Sequence, residues 1–486
     1  MKAGFNNQKY LTMQSEKIKE RISQFGDKLY LEFGGKLFDD YHASRVLPGF
    51  APDSKLQMLL QLKDQAEIVI AINARDIASH KVRQDLGITY EKDVLRLIDV
   101  FRQAGFHVGS VVLTQAGSPE DAPGLRDALK ELGIPVYTHY RIPGYPTDTE
   151  RILSEEGFGK NDYIVTSKPL VIVTAPGPGS GKMATCLSQL YHEEKRGIKA
   201  GYAKYETFPI WNLPLNHPVN LAYEAATADL NDLNMIDPWH QQAYNKIAVN
   251  YNRDIEIYPV LRQIFCEING SSPYASPTDM GVNMAGFCID DEEAVCEAAR
   301  QEIIRRYFAT RTRYYHKECR SQELHKQEMV MKQAGITVND RPAYLAARQK
   351  SRECGMPAGA IELEDGTIIT GRNTPLMGPA SAMIMNAVKY LAGLPDDLHL
   401  IDPENFAPIQ HLKTDYFGSR NPRLHINEIL IALAMTARNR PEAAKALDKL
   451  KELRGAQAHL TSDLSAVDQN VLASLGIQTT WEADKP

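Results

Sequence analysis

At 486 residues the chain exceeds what a single hydrophobic core supports, so about two to four domains are expected. Its 43% hydrophobic and 24% charged content is that of a globular protein, and 55 Lys and Arg against 61 Asp and Glu leave a net charge of −6, which argues against nucleic-acid and anionic membrane surfaces. No apolar run reaches the length of a membrane span, Met1 to Asn7 carries no signal core, and the six cysteines are scattered without a Cys-x-x-Cys pair; together these point to a cytoplasmic protein with reduced thiols and no zinc site.

A charged helical pattern follows the N-terminus, and then the elements alternate. Leu29 to Phe33 reads as a strand, Ser54 to Gln65 as a helix, Ala66 to Ile72 as a strand, Glu91 to Ala104 as a helix and His107 to Leu113 as a strand. A helix at Pro123 to Leu132 and a strand at Pro135 to Thr138 lead to an apolar run at Val171 to Val173, a helix from about Lys182 and a strand at Ile198 to Tyr205. Such alternation implies parallel βαβ units under a mostly parallel sheet, whose ligands sit beyond the carboxyl ends of strands. Asn73-Ala-Arg75 and Lys204-Tyr-Glu206-Thr207 fall at such ends.

From about Leu221 the texture becomes helical, with helices expected over Tyr223 to Leu233, Pro238 to Tyr258 and Asp291 to Gln327. Near Thr337 a second α/β pattern begins. Asp340-Arg-Pro342 opens a helix, Glu362 to Thr370 reads as a hairpin through Asp365-Gly366, and a strand is expected at His399 to Asp402 between helices at Ala380 to Ala392 and Ile426 to Thr436, with a last helix at Glu442 to Arg454. The expected organisation is an α/β domain over 1–220, a mainly helical middle domain over 221–330 and a C-terminal α/β domain over 331–486.

The stretch richest in chemical meaning is Lys168-Pro-Leu-Val-Ile-Val-Thr-Ala-Pro-Gly-Pro-Gly-Ser-Gly-Lys182. A β-branched run enters a glycine turn that opens a helix, the order in which a phosphate cradle is built: Gly177, Gly179, Ser180 and Gly181 turn backbone N–H groups toward one anion, and Lys182 adds a point charge. The match to a Walker A loop is incomplete. Pro176 stands where the first glycine belongs, and Met183 where magnesium's hydroxyl ligand belongs; Thr185 carries a hydroxyl two residues on. Leu398 to Asp402 is the best offer for a partner acidic strand, and it is weak.

Three further polar segments are candidate contacts. Glu32-Phe-Gly-Gly-Lys36, followed by Asp39, Asp40, His42 and Arg45, combines a Gly-Gly turn with charge, and Lys36 is its candidate ligand contact. Tyr274 to Asn283 bunches Ser276, Thr278, Asp279 and Asn283; helix capping accounts for part of this set, while Asp279 and Asn283 would share one face of a helix. Gly371 to Ser381 offers Arg372, Asn373, Thr374 and Ser381 between a strand and a helix. Lys182, Asp279, Arg372 and His459 are the catalytic candidates, His459 because imidazole titrates near neutrality. His-Glu-x-x-His and Gly-x-Ser-x-Gly motifs are absent, which gives a peptidase no support.

With Thr174 to Thr185, Ser276 to Phe287 and Asn373 to Ser381 in view, together with Phe5 to Tyr10 and Leu453 to His459, the chain resembles a bacterial family of unknown function, family 1846 of that class, also called uncharacterised protein family 0371. The likeness covers essentially the whole chain and implies an α/β N-terminal part, a helical middle part and an α/β C-terminal part. It carries over no catalytic residue. The expectation is a small phosphorylated ligand, ATP or another nucleotide first, with magnesium undecided and phosphoryl transfer or ATP-dependent ligation as the reaction. A ligand sensor and an enzyme acting on a non-nucleotide phosphate are the alternatives, and a homo-oligomer is plausible on general grounds.

Overall fold

The computed structural model describes every residue except 1–2, 27, 35–36, 39, 84–85, 231 and 484–486. Lys36 therefore lies outside the described residues, as does Asp39. The chain divides into two compact units, one made of Ala3–Tyr223 with Asp232–Val295 and the other of Glu224–Asn231 with Cys296–Pro486. The residues expected as a helical middle domain, 221–330, are shared between these units.

The first unit is built on a seven-stranded sheet. Its strands are β1 (Leu29–Phe33), β2 (Ala66–Asn73), β3 (His107–Ala116), β4 (Val136–Tyr140), β5 (Leu170–Thr174), β6 (Gly201–Tyr205) and β7 (Gly281–Val282). They lie in the order β7-β6-β1-β5-β2-β3-β4, and every neighbouring pair is parallel. A parallel sheet needs both faces covered, and β1, β2, β5 and β6 are buried along their whole length. Alternation along each strand sends Tyr30, Val69, Ala71, Val112, Val171, Val173 and Tyr202 to one face, where they meet Leu187 and Leu190 of the Lys182–Lys195 helix and Leu261, Ile264 and Phe265 of the Asn252–Asn269 helix. On the other face Tyr205 stacks on Phe33, with ring centroids 4.1 Å apart, and its hydroxyl meets that of Tyr10 from the Asn7–Gln24 helix.

The second unit carries a four-stranded sheet of β8 (Ala358–Glu362), β9 (Ile368–Arg372), β10 (Gln457–Leu460) and β11 (Gln478–Trp481), ordered β9-β8-β10-β11. The β8–β9 hairpin and the β8–β10 pair are antiparallel, and β10–β11 is parallel. Ile361, Ala458 and Leu460 pack with Met383, Ile384, Ile429 and Leu433 from the helices Pro379–Leu391 and Ile426–Ala437.

Several expected elements take other forms. The helix expected over Pro238 to Tyr258 is a helix at Pro238–Tyr244, a strand at Val249–Tyr251 and a helix at Asn252–Asn269, the first helix ending on Asn245 in the left-handed region at φ 51°. The helix expected from Tyr223 forms earlier, at Pro218–Ala226. No strand forms at His399 to Asp402: Leu400 and Ile401 enter the helical core of the second unit instead of a ladder, which removes the acidic strand considered as a partner to the glycine turn.

Candidate functional site

The glycine turn joins β5 to the Lys182–Lys195 helix at the carboxyl edge of the sheet. β5 and β2 are neighbours, yet β2 leads on to β3 on one side while β5 leads to β6 on the other. The turn thus occupies a topological switch point, where parallel sheets open a crevice for ligands.

Each glycine answers a different local demand. Gly179 and Gly181 have φ of 75° and 83°, in the left-handed region that side chains resist. A Cβ at Gly181 would also stand 2.9 Å from the Cβ of Thr114, and one at Gly177 would run into the Tyr90 hydroxyl. The carbonyls of the turn are tied to the scaffold. Gly177 O accepts from Ser180 Oγ at 2.8 Å, Gly179 O from Asn73 Nδ2 at 3.2 Å and Ser180 O from Thr114 Oγ1 at 2.7 Å. Gly181 O accepts from the amide and hydroxyl of Thr185, at 2.9 and 3.0 Å.

The amides behave in the opposite way. Among the described residues, the N–H groups of Gly177, Gly179, Gly181, Lys182, Met183 and Ala184 find no protein acceptor, while that of Ser180 closes a turn toward Gly177 O. Ser180 is fully buried, and both its hydroxyl and its amide turn back toward Gly177 O, so the open donors are those that flank it. The Lys182 ammonium, half-buried beside them, has no ion-pair or hydrogen-bond partner among the described residues. Carbonyls held by the scaffold, amides left open and a helix N-terminus behind them form a concave patch of positive potential.

The hydroxyls expected to help are otherwise engaged. Ser180 and Thr185 donate back to carbonyls of the turn, and Met183 packs against the apolar cluster beneath the sheet. Ser276 and Asp279 form a reciprocal capping box on the short helix Pro277–Met280, with Asp279 N to Ser276 Oγ at 3.2 Å and Ser276 N to Asp279 Oδ2 at 3.1 Å. Thr278 Oγ1 donates to Asp237 at 2.6 Å, and Asn283 Nδ2 donates to the Thr207 and Pro209 carbonyls at 3.0 and 3.2 Å. Because that helix stops at Met280 and β7 follows, Asp279 and Asn283 do not share a helical face.

The remaining candidates belong to the second unit. Arg372 is exposed at the end of β9, the Asn373 backbone N–H donates to Pro357 O at 2.8 Å, Thr374 Oγ1 closes a turn onto Met377, and the buried Ser381 Oγ donates to Leu424 O at 3.0 Å. His459 is fully buried on β10 between Phe308 and Tyr344, with Nδ1 2.8 Å from Thr480 Oγ1. Burial, reinforced by Arg341, Arg348 and Arg311, holds its imidazole well below the usual histidine range.

The family model described as "Domain of unknown function DUF1846, N-terminal" matches residues 3–335, and "Domain of unknown function DUF1846, C-terminal" matches 339–485. The chain belongs to the DUF1846 family. It is 56% identical over 481 residues to a UPF0371 protein of Streptococcus pneumoniae serotype 19F (strain G54), covering 99% of this chain and 97% of that relative, and the same figures hold for UPF0371 protein stu1377 of Streptococcus thermophilus.

Beside the turn, this DUF1846 chain holds a cluster of ionisable groups at the carboxyl ends of β1 and β6. Lys204 Nζ lies 2.6 Å from Asp254 Oδ2 and 2.6 Å from Glu206 Oε1 and also donates to the Tyr251 hydroxyl, while Tyr202 donates to Glu32 at 2.7 Å. Burial works against the charge on Lys204, but Asp254, Glu206 and Glu32 outweigh it and hold the ammonium above its ordinary range. Burial pushes the Glu206 carboxyl up to about 7, with Lys204 opposing and Asp254 adding to the rise. Burial raises the Cys186 thiol well above its range, Glu32 adds to this and Lys182 opposes it, so Glu32 and Lys182 share one electrostatic neighbourhood. Sequence reading placed Asn73, Lys204 and Glu206 at strand ends. It missed Thr114, Tyr90, Tyr251 and Asp254, which reach the site only through tertiary packing; the one local signal was Thr114, immediately after the residue at which the expected strand ended.

Proposed function

We propose that this DUF1846 protein binds the phosphoryl group of a nucleotide or of another phosphorylated metabolite at the Gly177–Lys182 turn. The observation that carries the reading is the set of open amides at Gly179 and Gly181 to Ala184, at a helix N-terminus beside Lys182, which has no side-chain partner among the described residues. An oxyanion with several acceptor oxygens satisfies these donors, whereas a purely structural turn would leave the Gly181, Lys182, Met183 and Ala184 amides to solvent. Phosphoryl transfer or ATP-dependent ligation is the reaction class that profits from such a grip, since Lys182 and the amides stabilise charge developing on phosphate oxygens. A sensor that binds without turnover has one observation in its favour: neither Met183 nor Thr185 offers the turn a hydroxyl for a metal ion.

The test is thermal unfolding against ATP, GTP, ADP and phosphorylated metabolites, with and without magnesium, for the wild type and Lys182→Ala. A ligand at a hundredfold its dissociation constant adds about 2.7 kcal/mol of stability. The expected result is a shift with the wild type that Lys182→Ala, itself folded, loses. An equal shift in both proteins, or none with any ligand, overturns the reading. Product formation from the stabilising ligand then separates an enzyme from a sensor.

A further inference from the structure

The side chains that brace the turn also lead into a separate cleft. Asn73 holds the Gly179 carbonyl and precedes Ala74 and Arg75; Thr114 holds the Ser180 carbonyl and precedes Gln115; the Tyr90 ring backs Gly177 and precedes Glu91. These following residues, with Arg141 after β4 and the start of the Pro123–Glu131 helix, line a cleft of about 580 Å³. Consecutive Cα atoms are about 3.8 Å apart, so three of the residues that line the cleft stand one position along the chain from groups that brace the turn. Its size and largely aliphatic wall, with Ile77 and Leu125 among the lining residues, suit a small organic molecule.

The wall carries both signs of charge, Arg75 and Arg141 with Glu91 and Asp121, and the pairing state of each decides which is available to a ligand. Among the described residues, neither Arg75 nor Arg141 has a side-chain hydrogen bond or ion pair; of the two carboxylates on the same wall, Asp121 is occupied by the amides of Gly117 and Ser118, at 2.7 and 3.3 Å, and Glu91 is half-buried with no side-chain partner. Gln115 and Ala122, both in the wall, hold left-handed backbone at φ 51° and 57°, a conformation that non-glycine residues adopt at a cost. We propose that this cleft is a second ligand site, which takes a small, partly apolar molecule whose carboxylate or phosphate group is gripped by Arg75 and Arg141. It rests on the reading of the turn only in standing as the co-substrate site beside it. Guanidinium groups match either anion through paired N–H donors.

The test is calorimetric titration of hexanoate and hexyl phosphate, with hexanol as the neutral control, into the full chain and its Arg75→Gln, Arg141→Gln, doubly substituted and Lys182→Ala variants. Both arginines are exposed, so the variants are expected to fold, and circular dichroism checks this. The expected result is binding of hexanoate or hexyl phosphate but not hexanol, weakened about tenfold or more by each arginine change, as for loss of a charge-assisted hydrogen bond, and unchanged by Lys182→Ala. Hexanoate alone identifies a carboxylate ligand and hexyl phosphate alone a phosphate ligand, and either supports the site. No binding of either anion at millimolar concentration, equal binding of hexanol, or unchanged binding by the doubly substituted variant overturns it. Hexyl phosphate binding lost in Lys182→Ala but kept in the arginine variants also overturns it, and leaves the turn as the anion site. Anion binding in the cleft together with nucleotide shifts indifferent to Lys182→Ala overturns the turn and keeps the cleft.

Discussion

Gly181 is where one atom decides most about the turn. Alanine there would be strained by a φ of 83° and would press on Thr114, whose hydroxyl fixes the Ser180 carbonyl. Gly181→Ala is expected to destabilise the fold by about 1–3 kcal/mol and to lose phosphate binding, read by urea unfolding and by the ligand-induced shift. Lys204→Met tests the neighbouring cluster. It leaves Asp254 and Glu206 buried without their cation, and a loss of about 3–5 kcal/mol is expected in the same unfolding measurement. Glu206 sets a pH dependence. Its carboxyl, raised from 4.5 to about 7 in the folded chain, keeps a proton there that the unfolded chain has released, so stability falls as pH rises through that window. Glu206→Gln should flatten this slope; an unchanged slope means that the carboxyl titrates in its ordinary range.

At the scale of elements, the Ile426–Ala437 and Ala466–Ser474 helices meet at their starts through Asp468, which accepts from Ile426 N at 2.8 Å and pairs with His425. His425 Nδ1 lies 2.9 Å from Asp468 Oδ2, and that hydrogen bond, against burial, raises the imidazole above its ordinary range near 6.5. The folded state therefore holds the proton more tightly than the unfolded chain. The stabilisation is full below about 6.5 and is lost as pH rises through the raised value. His425→Asn should remove that loss, checked by denaturant midpoints measured across neutral pH. Elements with a strong periodic or turn signal were legible in sequence: the β5 run Leu170–Thr174, the helix from Lys182, and the β8–β9 hairpin through Asp365-Gly366. Short strands whose identity depends on a neighbour were not. β7 is Gly281–Val282 and exists because it pairs with Lys204 and Tyr205 of β6; β10 and β11 are four residues each and gain their strand form from β8 and from one another. The pair Leu400–Ile401 had strand-like local character, and a helical core absorbed it.

For the whole molecule, the division into units falls inside the Glu292–Tyr315 helix, whereas the family models meet at residues 335–339. The contacts of the second unit explain the difference. Phe308 covers the ring of His459, and Gln301 accepts from the fully buried Arg341 at 3.1 Å, so residues before 335 belong to that core. A fragment over 296–486 is expected to unfold cooperatively, and one over 339–486, lacking the Phe308 contact, to melt lower by about 3–5 kcal/mol of stability, followed by circular dichroism. Equal melting would place the boundary where the family models meet. The sequence by itself determined the α/β class, the family and the glycine turn at a strand-to-helix junction, because periodicity, glycine spacing and local motifs are properties of contiguous residues. Only the tertiary structure decided which strands are neighbours, that β2 and β5 diverge above the turn, and that Asn73, Tyr90, Thr114 and Asp254 reach the site, because each depends on contacts between residues far apart in the chain.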